Sequence, residues 1–337
     1  MKAYELKQFG IDNLNISDLE MTEPQPHEVQ VKFHAASLNY RDLMIVKGTY
    51  NPRMKLPAIP FSDGAGEVTA VGESVTKWKI GDRVCPIFMQ GWYEGEISAE
   101  KSKTALGGGS EWNGVLREFG AFNEECLVQI PDSLSYEEAA TLPCAAVTAW
   151  NALVVSGNLK AGDTVLTLGT GGVSVFAIQI AKMFGAKVIS TSGSDEKLAK
   201  ARKLGAAETI NYKKREDWDK AVMEITGKRG VDYVVEVGGS GTMAKSVNAV
   251  RSGGHIAVIG VLTSGGDFDP TSLLMKAVKM QGIYVGSRSM FEDMNRAIKS
   301  NEIKPVIDKV FKFDEAREAL KYMECGSHFG KIVISIG

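Results

Sequence analysis

GDTVLTLGTGGVSVFAIQIAKMFGAKVISTS (162–192) is the stretch on which the fold turns. Its apolar run VLTL does not alternate with polar residues, as expected of a strand buried on both faces. The run passes directly into Gly169-Thr170-Gly171-Gly172-Val173-Ser174. A segment follows in which Val175, Ile178 and Met183 recur at helical spacing, and a second apolar strand, AKVISTS, comes next at the distance of a βαβ unit. Glycines here allow a tight turn and let backbone N–H groups approach a pyrophosphate, whose charge is favoured at a helix N-terminus. Ser174 stands where the third glycine of G-x-G-x-x-G is usual, so a purely structural turn is the alternative. The strand, turn, helix and second strand taken together favour a dinucleotide site, with Gly169, Thr170, Gly171, Gly172 and Val173 as its contacts.

Working outward, strand and helix patterns continue to alternate through a helix ending at Leu204, ETINY, VDYVVEVG, HIAVIGV and MQGIYVGS. That alternation predicts an α/β domain with a doubly wound parallel sheet. Upstream, SYEEAATLPCAAVTAWNALV (135–154) has the spacing of a helix pair. Before it come EVQVKF (28–33), GAGEVTAVG (64–72), GDRVCPIF (81–88) and AFNEECLVQI (121–130), short strands without intervening helices that argue for a closed or sandwich-like β domain. Residues 89–119, with Trp92 and Trp112, are too long for a plain connector and read as a substrate-side loop. The last stretch carries amphipathic helices (FEDMNRAI, FDEAREALKYM) and a final strand, KIVISI. The expected division is 1–126 with 291–337 as one domain and 127–290 as the nucleotide domain.

At 337 residues the chain exceeds one ordinary core and has room for two domains sharing a cleft. A net charge of -2 gives no reason to expect nucleic acid or an anionic membrane as partner. No apolar run reaches membrane-span length, and the opening MKAYELKQFG has no signal-peptide core, so the cytoplasm is the expected compartment. Cys85, Cys126, Cys144 and Cys325 lie far apart and form no CxxC pair. They read as reduced, mostly buried thiols rather than a metal cluster.

NAD binders usually carry an acid at the tip of the second strand, where it holds the ribose hydroxyls. Here the tip is Ser190-Thr191-Ser192-Gly193, followed by Ser194 as a helix cap before Asp195, Glu196 and Lys197. Ser192, the Gly193 amide and Lys197 are therefore candidates to surround a 2′-phosphate, with Tyr212 stacking nearby. NADP is the favoured cofactor and NAD the alternative, because Lys197 also reads as an ordinary solvated lysine. Two later strand ends, Glu236-Val237-Gly238-Gly239 and Ile259-Gly260-Val261, fall at the edge where such sheets bind ligands. Gly238, Ile259 and Gly260 are candidate contacts there, with tight turns as the plainer reading.

SLNYRDLMIVKGTY (37–50), IPFSDGAGEV (59–68), GDRV (81–84), AATLPCAAVTAWNAL (139–153), the GTGGVS turn and HFGKIVI (328–334) stand in an order and spacing that carry a resemblance. The chain resembles the medium-chain dehydrogenase/reductase superfamily, and within it the zinc-less quinone-oxidoreductase-like branch. The resemblance implies a GroES-like β-barrel catalytic domain plus a Rossmann domain, with cofactor and substrate in the cleft between them. It also implies a homodimer or homotetramer joined through the Rossmann sheets. Zinc-dependent members carry Cys at the position of Asn39 and a His-Glu pair at Ser62-Asp63; of their catalytic ligands only the Cys matching Cys144 is present. A catalytic zinc needs three protein ligands and an open position, so no metal is expected and Cys144 reads as a small buried hydrophobe. Enoyl-reducing relatives imply a proton-donating Tyr matching Tyr50, and Asn39 as a group orienting the substrate oxygen or the ribose. The blander possibilities are that Tyr50 packs a loop and Asn39 satisfies backbone groups. Thr148 matches a Thr facing the nicotinamide, or is an ordinary helix-interior Thr. The expected activity is hydride transfer between NAD(P)H and a small quinone, enone or carbonyl compound. A zinc-free alcohol dehydrogenase and a cofactor-binding structural protein without turnover are the alternatives.

Overall fold

The computed structural model describes residues 1–109, 111–260, 262 and 269–337. The chain divides into a unit of Met1–Val147 with Gly286–Gly337 and a unit of Thr148–Val285. These breaks fall later than 126/127 and earlier than 290/291. The strand Leu127–Gln129 pairs with Arg83–Pro86, and the backbone of Cys144 bonds to Asp63, so 127–147 packs with the first unit.

In the first unit the strand Glu28–Ser37 is central. Along one side it pairs antiparallel with Asp63–Val71. Along the other it pairs with Phe119–Asn123 through residues 28–32 and with Lys331–Ser335 through residues 35–37. One strand serving two partners on the same side must coil, and register shifts against Asp63–Val71 accommodate this. Arg83–Pro86 and Leu127–Gln129 extend one end of the sheet. At the other end Ile307–Lys312 lies parallel to Lys331–Ser335. The interior is apolar: Val29, Val31, Phe33, Val68, Val84, Ile332, Val333 and Ile334 are fully buried, and Phe33 meets Phe122 edge to face at 5.8 Å.

The segment read as AFNEECLVQI is two strands, because Glu124–Cys126 forms a short turn between them. The stretch 135–154, expected to form a helix pair, is helical but irregular. The α-helices Tyr136–Ala140 and Val147–Trp150 are interleaved with π-helical turns at Leu142–Ala146 and Asn151–Val155. Pro143 has no N–H to bond the preceding turn, which accounts for the break at that point.

The second unit holds a six-stranded, all-parallel sheet in the order Glu208–Asn211, Lys187–Ser192, Thr164–Leu168, Val231–Glu236, Val250–Val258, Lys279–Gly282. Helices including Gly172–Met183, Asp195–Leu204, Trp218–Ile225 and Ser240–Ala249 connect the strands. Chain order reverses between Thr164–Leu168 and Val231–Glu236, which places a topological switch point at the end of Thr164–Leu168. Leu166, Ile189, Val231, Val234, Val247 and Ile256 pack as its core.

Candidate functional site

At the switch point, Leu168 leads into Gly169, whose φ of +71° suits glycine, and Gly171 precedes the helix Gly172–Met183. A Cβ placed on Gly169 or Gly171 would meet no atom within 4 Å, so the space beside this turn at the helix start is open, while the Gly169 N–H itself donates to Thr191 Oγ1 at 3.4 Å. That is the cradle a pyrophosphate needs. Thr170 is buried beside it, and Val173 is half-buried in the first helical turn. Ser174 is nearly fully buried, and its Oγ donates to the Leu168 carbonyl at 2.7 Å. A serine is tolerated at the third glycine position because its hydroxyl ties the helix back to the strand.

The ribose end is built from the tip of the strand Lys187–Ser192. Ser192 Oγ accepts the Ser194 N–H at 3.3 Å, and Ser194 Oγ accepts the Lys197 N–H at 3.4 Å, so Ser194 is the expected cap. A Cβ on Gly193 would lie 3.0 Å from Tyr212 Oη and 3.0 Å from Lys213 Cε, which puts both side chains over this turn. The acids of the helix start are engaged elsewhere. Asp195 accepts from Asn211 Nδ2 at 2.7 Å and Lys214 Nζ at 2.6 Å, and these bonds hold its carboxyl below the usual range. Glu196 pairs with Lys200 at 3.2 Å. Lys213 is exposed and makes no ion pair among the described residues, and no motif in the sequence marks it.

The two later turns are tied together from within. Glu236 is fully buried, and its carboxylate accepts from the Gly238 N–H at 2.8 Å, the Gly239 N–H at 3.1 Å, Thr242 Oγ1 at 2.6 Å and Ser246 Oγ. Ile259 N–H and Gly260 N–H both donate to the Glu236 carbonyl, at 2.9 and 3.2 Å. A Cβ on Gly260 would sit 1.9 Å from the Val237 carbonyl oxygen, so close backbone approach explains that glycine. Val261 lies outside the described residues. Thr148 is 3% exposed, in the short helix between the two π-turns.

In the first unit a buried polar group sits where Glu28–Ser37, Asp63–Val71 and Lys331–Ser335 converge. Lys331 is 3% exposed, and its Nζ donates to Asn39 Oδ1 and to the Leu38 carbonyl, each at 2.6 Å. Asn39 Nδ2 reaches Ser62 Oγ at 3.4 Å, and Ser62 Oγ donates to Asp63 Oδ1 at 2.8 Å. Asp63 Oδ2 accepts the Cys144 N–H at 3.1 Å and lies 4.0 Å from Lys331 Nζ. Burial raises the Asp63 carboxyl, opposed by Lys331, Asn39, Ser62 and the Cys144 N–H. Burial likewise pushes the Cys144 thiol up, with the Asp63 carboxylate adding to the effect. Cys144 is partly exposed as a residue, while its thiol is buried and its backbone N–H bonds to Asp63. Cys325 is exposed.

Asn39 also starts the helix Tyr40–Val46, where its N–H donates to Asp42 Oδ2 at 2.8 Å. Beyond the other end of that helix, Tyr50 is 40% exposed. The Arg41 guanidinium lies over the Tyr50 ring at 5.2 Å and the Phe88 ring at 4.9 Å, while Arg41 Nη1 donates to the Leu106 carbonyl at 2.8 Å. Asn39, the neighbours Ser62 and Asp63, and Cys144, three separate points of the sequence, thus share one network. Lys331 joins it without having been singled out from the sequence. Trp92 is buried, and its Nε1 donates to the Gly95 carbonyl at 2.9 Å.

An open anion cradle at the switch point of a parallel sheet, on a chain whose β unit encloses a polar group, defines the nicotinamide-dependent oxidoreductases as a class. Residues 25–132 match the family model for the alcohol dehydrogenase GroES-like domain, and residues 172–300 match that for zinc-binding dehydrogenase. A zinc-type alcohol dehydrogenase-like protein of Schizosaccharomyces pombe is 44% identical over 97% of this chain and 96% of its own. The human quinone oxidoreductase is 28% identical over 99% of this chain and 97% of its own. A solved NAD-dependent alcohol dehydrogenase superposes with a TM-score of 0.92 at 34% identity, covering 100% of both chains. The chain belongs to the medium-chain dehydrogenase/reductase superfamily and is an NAD(P)-dependent oxidoreductase.

The model named for zinc matches the nucleotide-binding stretch, so the metal has to be tested on the other unit. An amide, a hydroxyl and one carboxylate are gathered with the Lys331 ammonium there. A dication needs deprotonated or neutral lone-pair donors and would be repelled by the ammonium. The residues do not fit a zinc ion.

Proposed function

We propose that the chain is a zinc-independent, NADPH-dependent reductase of small quinones, enones or simple carbonyl compounds, acting in the cytosol as a homodimer or homotetramer. The observation that carries the metal-free reading is the Lys331 ammonium bonded to Asn39 at 2.6 Å, a positive charge already present among Asn39, Ser62, Asp63 and Cys144. NADPH is supported by a strand tip without a free acid and by Ser192, Tyr212 and Lys213 around Gly193, with Lys197 in the same turn. The thiols of Cys85 and Cys126, buried and unpaired as disulfides, suit a reducing compartment. Leu274 and Met275, each 78% exposed beside the sheet of the second unit, favour self-association.

The bound nicotinamide supplies the hydride. The chain binds the pyrophosphate on the amides from Gly169 to Val173 with Thr170, and Thr148 orients the nicotinamide. Hydride addition leaves an alkoxide or enolate oxygen that needs a proton or a fixed donor. Tyr50 donates that proton, and the Asn39 amide holds the same oxygen.

NADPH oxidation measured over quinones, enals, aldehydes and ketones, with zinc determined by elemental analysis, tests this reading. Turnover with far less than one zinc per chain is expected. Stoichiometric zinc whose removal abolishes turnover would overturn the metal-free reading. Oxidation of alcohols alone would favour the reading as a zinc-free alcohol dehydrogenase. Tight NADPH binding without any turnover would favour a cofactor-binding protein.

A further inference from the structure

We infer that Arg41 anchors a carboxylate on the substrate, so that the acceptors taken best are enones or carbonyl compounds carrying an acid group. An arginine has five N–H donors, and a buried one is normally satisfied by carboxylates and carbonyls. The Arg41 side chain is 10% exposed, yet among the described residues its one hydrogen bond runs from Nη1 to the Leu106 carbonyl at 2.8 Å. Nε is buried and, among the same residues, has no partner. Nη2 bonds to none of them either, and it is not closed off from solvent as Nε is. These two nitrogens share the edge of the guanidinium that grips a carboxylate through two parallel bonds. The bond to Leu106 uses the other nitrogen and leaves that edge unspent.

The charge also lacks a close counter-ion. Among the described residues the one carboxylate within 4.0 Å is Asp42, whose Oδ1 stands at that distance from Nη1 and accepts no hydrogen bond. Burial pushes that carboxyl up to about 7, so Asp42 is only a partial counter-ion at neutral pH. Arg41 lies instead over the rings of Tyr50 and Phe88, at 5.2 and 4.9 Å. The rings offset part of the cost of enclosing a cation without neutralising it, and a Met would pack on them without desolvating a charge. Tyr50 is 40% exposed, and the Arg41 charge acts on the Cys144 thiol, so Arg41 stands beside both the phenol and the polar group that holds Asn39. A neutral acceptor would leave the guanidinium unpaired, whereas an acidic one completes it. This assignment rests on the proposed function, which makes Tyr50 and Asn39 the groups that meet the substrate oxygen.

Two probes nearly equal in size, 4-oxopent-2-enoate and its primary amide, differ in charge and separate its recognition from shape. With NADPH as donor, the wild-type chain should show a kcat/KM at least about 10-fold higher for the acid. In Arg41→Met that ratio should fall to about one, and Arg41→Lys, a point charge without the fork, should restore part of it. Should Arg41→Met not fold, Arg41→Gln, which keeps an N–H, takes its place. Equal kcat/KM for acid and amide in the wild type, or a preference that survives the loss of the guanidinium, would overturn the assignment. If neither probe nor any other acceptor were turned over, the proposed function would fall by itself. The anchor would then be read by calorimetry with the saturated acid 4-oxopentanoate. Binding to the wild type that is lost in Arg41→Met would uphold it. No binding to the wild type, or equal binding to both proteins, would overturn it.

Discussion

Asp42 is fully buried, with Oδ2 taking the Asn39 N–H at 2.8 Å and Oδ1 lacking a hydrogen-bond partner among the described residues. Burial lifts its carboxyl from 3.8 to about 7, opposed by Arg41 at 4.0 Å, the Asn39 N–H and Lys331, and reinforced by Asp63. A folded-state value above the unfolded one means that Asp42 favours the fold fully below pH 3.8 and loses that contribution as pH rises through about 7. Asp42→Asn keeps an acceptor for Asn39 and removes the titration. Stabilities of the two proteins should nearly coincide close to pH 4, diverge as pH rises towards 7 and stay apart above it, with the variant more stable by up to about 4 kcal/mol. Parallel curves across that range would show that Asp42 does not titrate there. At Tyr50 the expected behaviour is different. Tyr50→Phe keeps the ring against Arg41 and deletes the hydroxyl, so melting should hold while kcat falls by about 10² or more. Unchanged turnover on every active substrate would remove its role as donor. Asn39 and Tyr50 were legible because they flank one short sequence block. Lys331 was not, because a lysine opening GKIVI reads as an ordinary strand start until pairing with Glu28–Ser37 encloses it.

Elements whose apolar residues run unbroken, such as VLTL and YVVEV, declared themselves as central parallel strands, and the glycine turn between strand and helix fixed the switch point. Ile307–Lys312 was missed because it carries alternating charges at the end of its sheet, with Phe311 its one fully buried residue. The π-turns around Thr148 leave the helical spacing of small apolar residues nearly intact, so periodicity could not reveal them. Two glycine substitutions test which turn binds and which only packs. Gly171→Ala places a methyl in open space at an ordinary φ of −78°, so the unliganded protein should melt as wild type while NADPH binds about 10-fold more weakly. Gly260→Ala must push the Val237 carbonyl aside and should destabilise by about 1–3 kcal/mol. Thermal melting paired with calorimetry distinguishes the two. Weakened binding from Gly260→Ala without loss of stability would return that turn to the cofactor site.

At the scale of the whole molecule, the return of Gly286–Gly337 to the first unit could be anticipated from a final apolar strand, but the place of 127–147 could not. Its strand is three residues long and its partner lies far upstream. The choice of cofactor belongs to this scale too, because a ligand that binds only the folded chain stabilises all that unfolds with its site. At about 100 times its Kd such a ligand adds about 2.7 kcal/mol, and a weaker nucleotide at the same concentration adds correspondingly less. If Ser192, Lys197, Tyr212 and Lys213 receive a 2′-phosphate, NADPH should raise the melting temperature more than equimolar NADH. Lys213→Ala should narrow that difference while leaving the NADH shift in place, since Lys213 makes no ion pair among the described residues that its removal would disturb. Raising the salt concentration should narrow it as well, because the lysines are partly or fully exposed and their attraction to a phosphate is screened. Equal shifts from the two nucleotides in the wild-type chain, or a larger one from NADH, would make NAD the working cofactor and leave those four residues a structural turn.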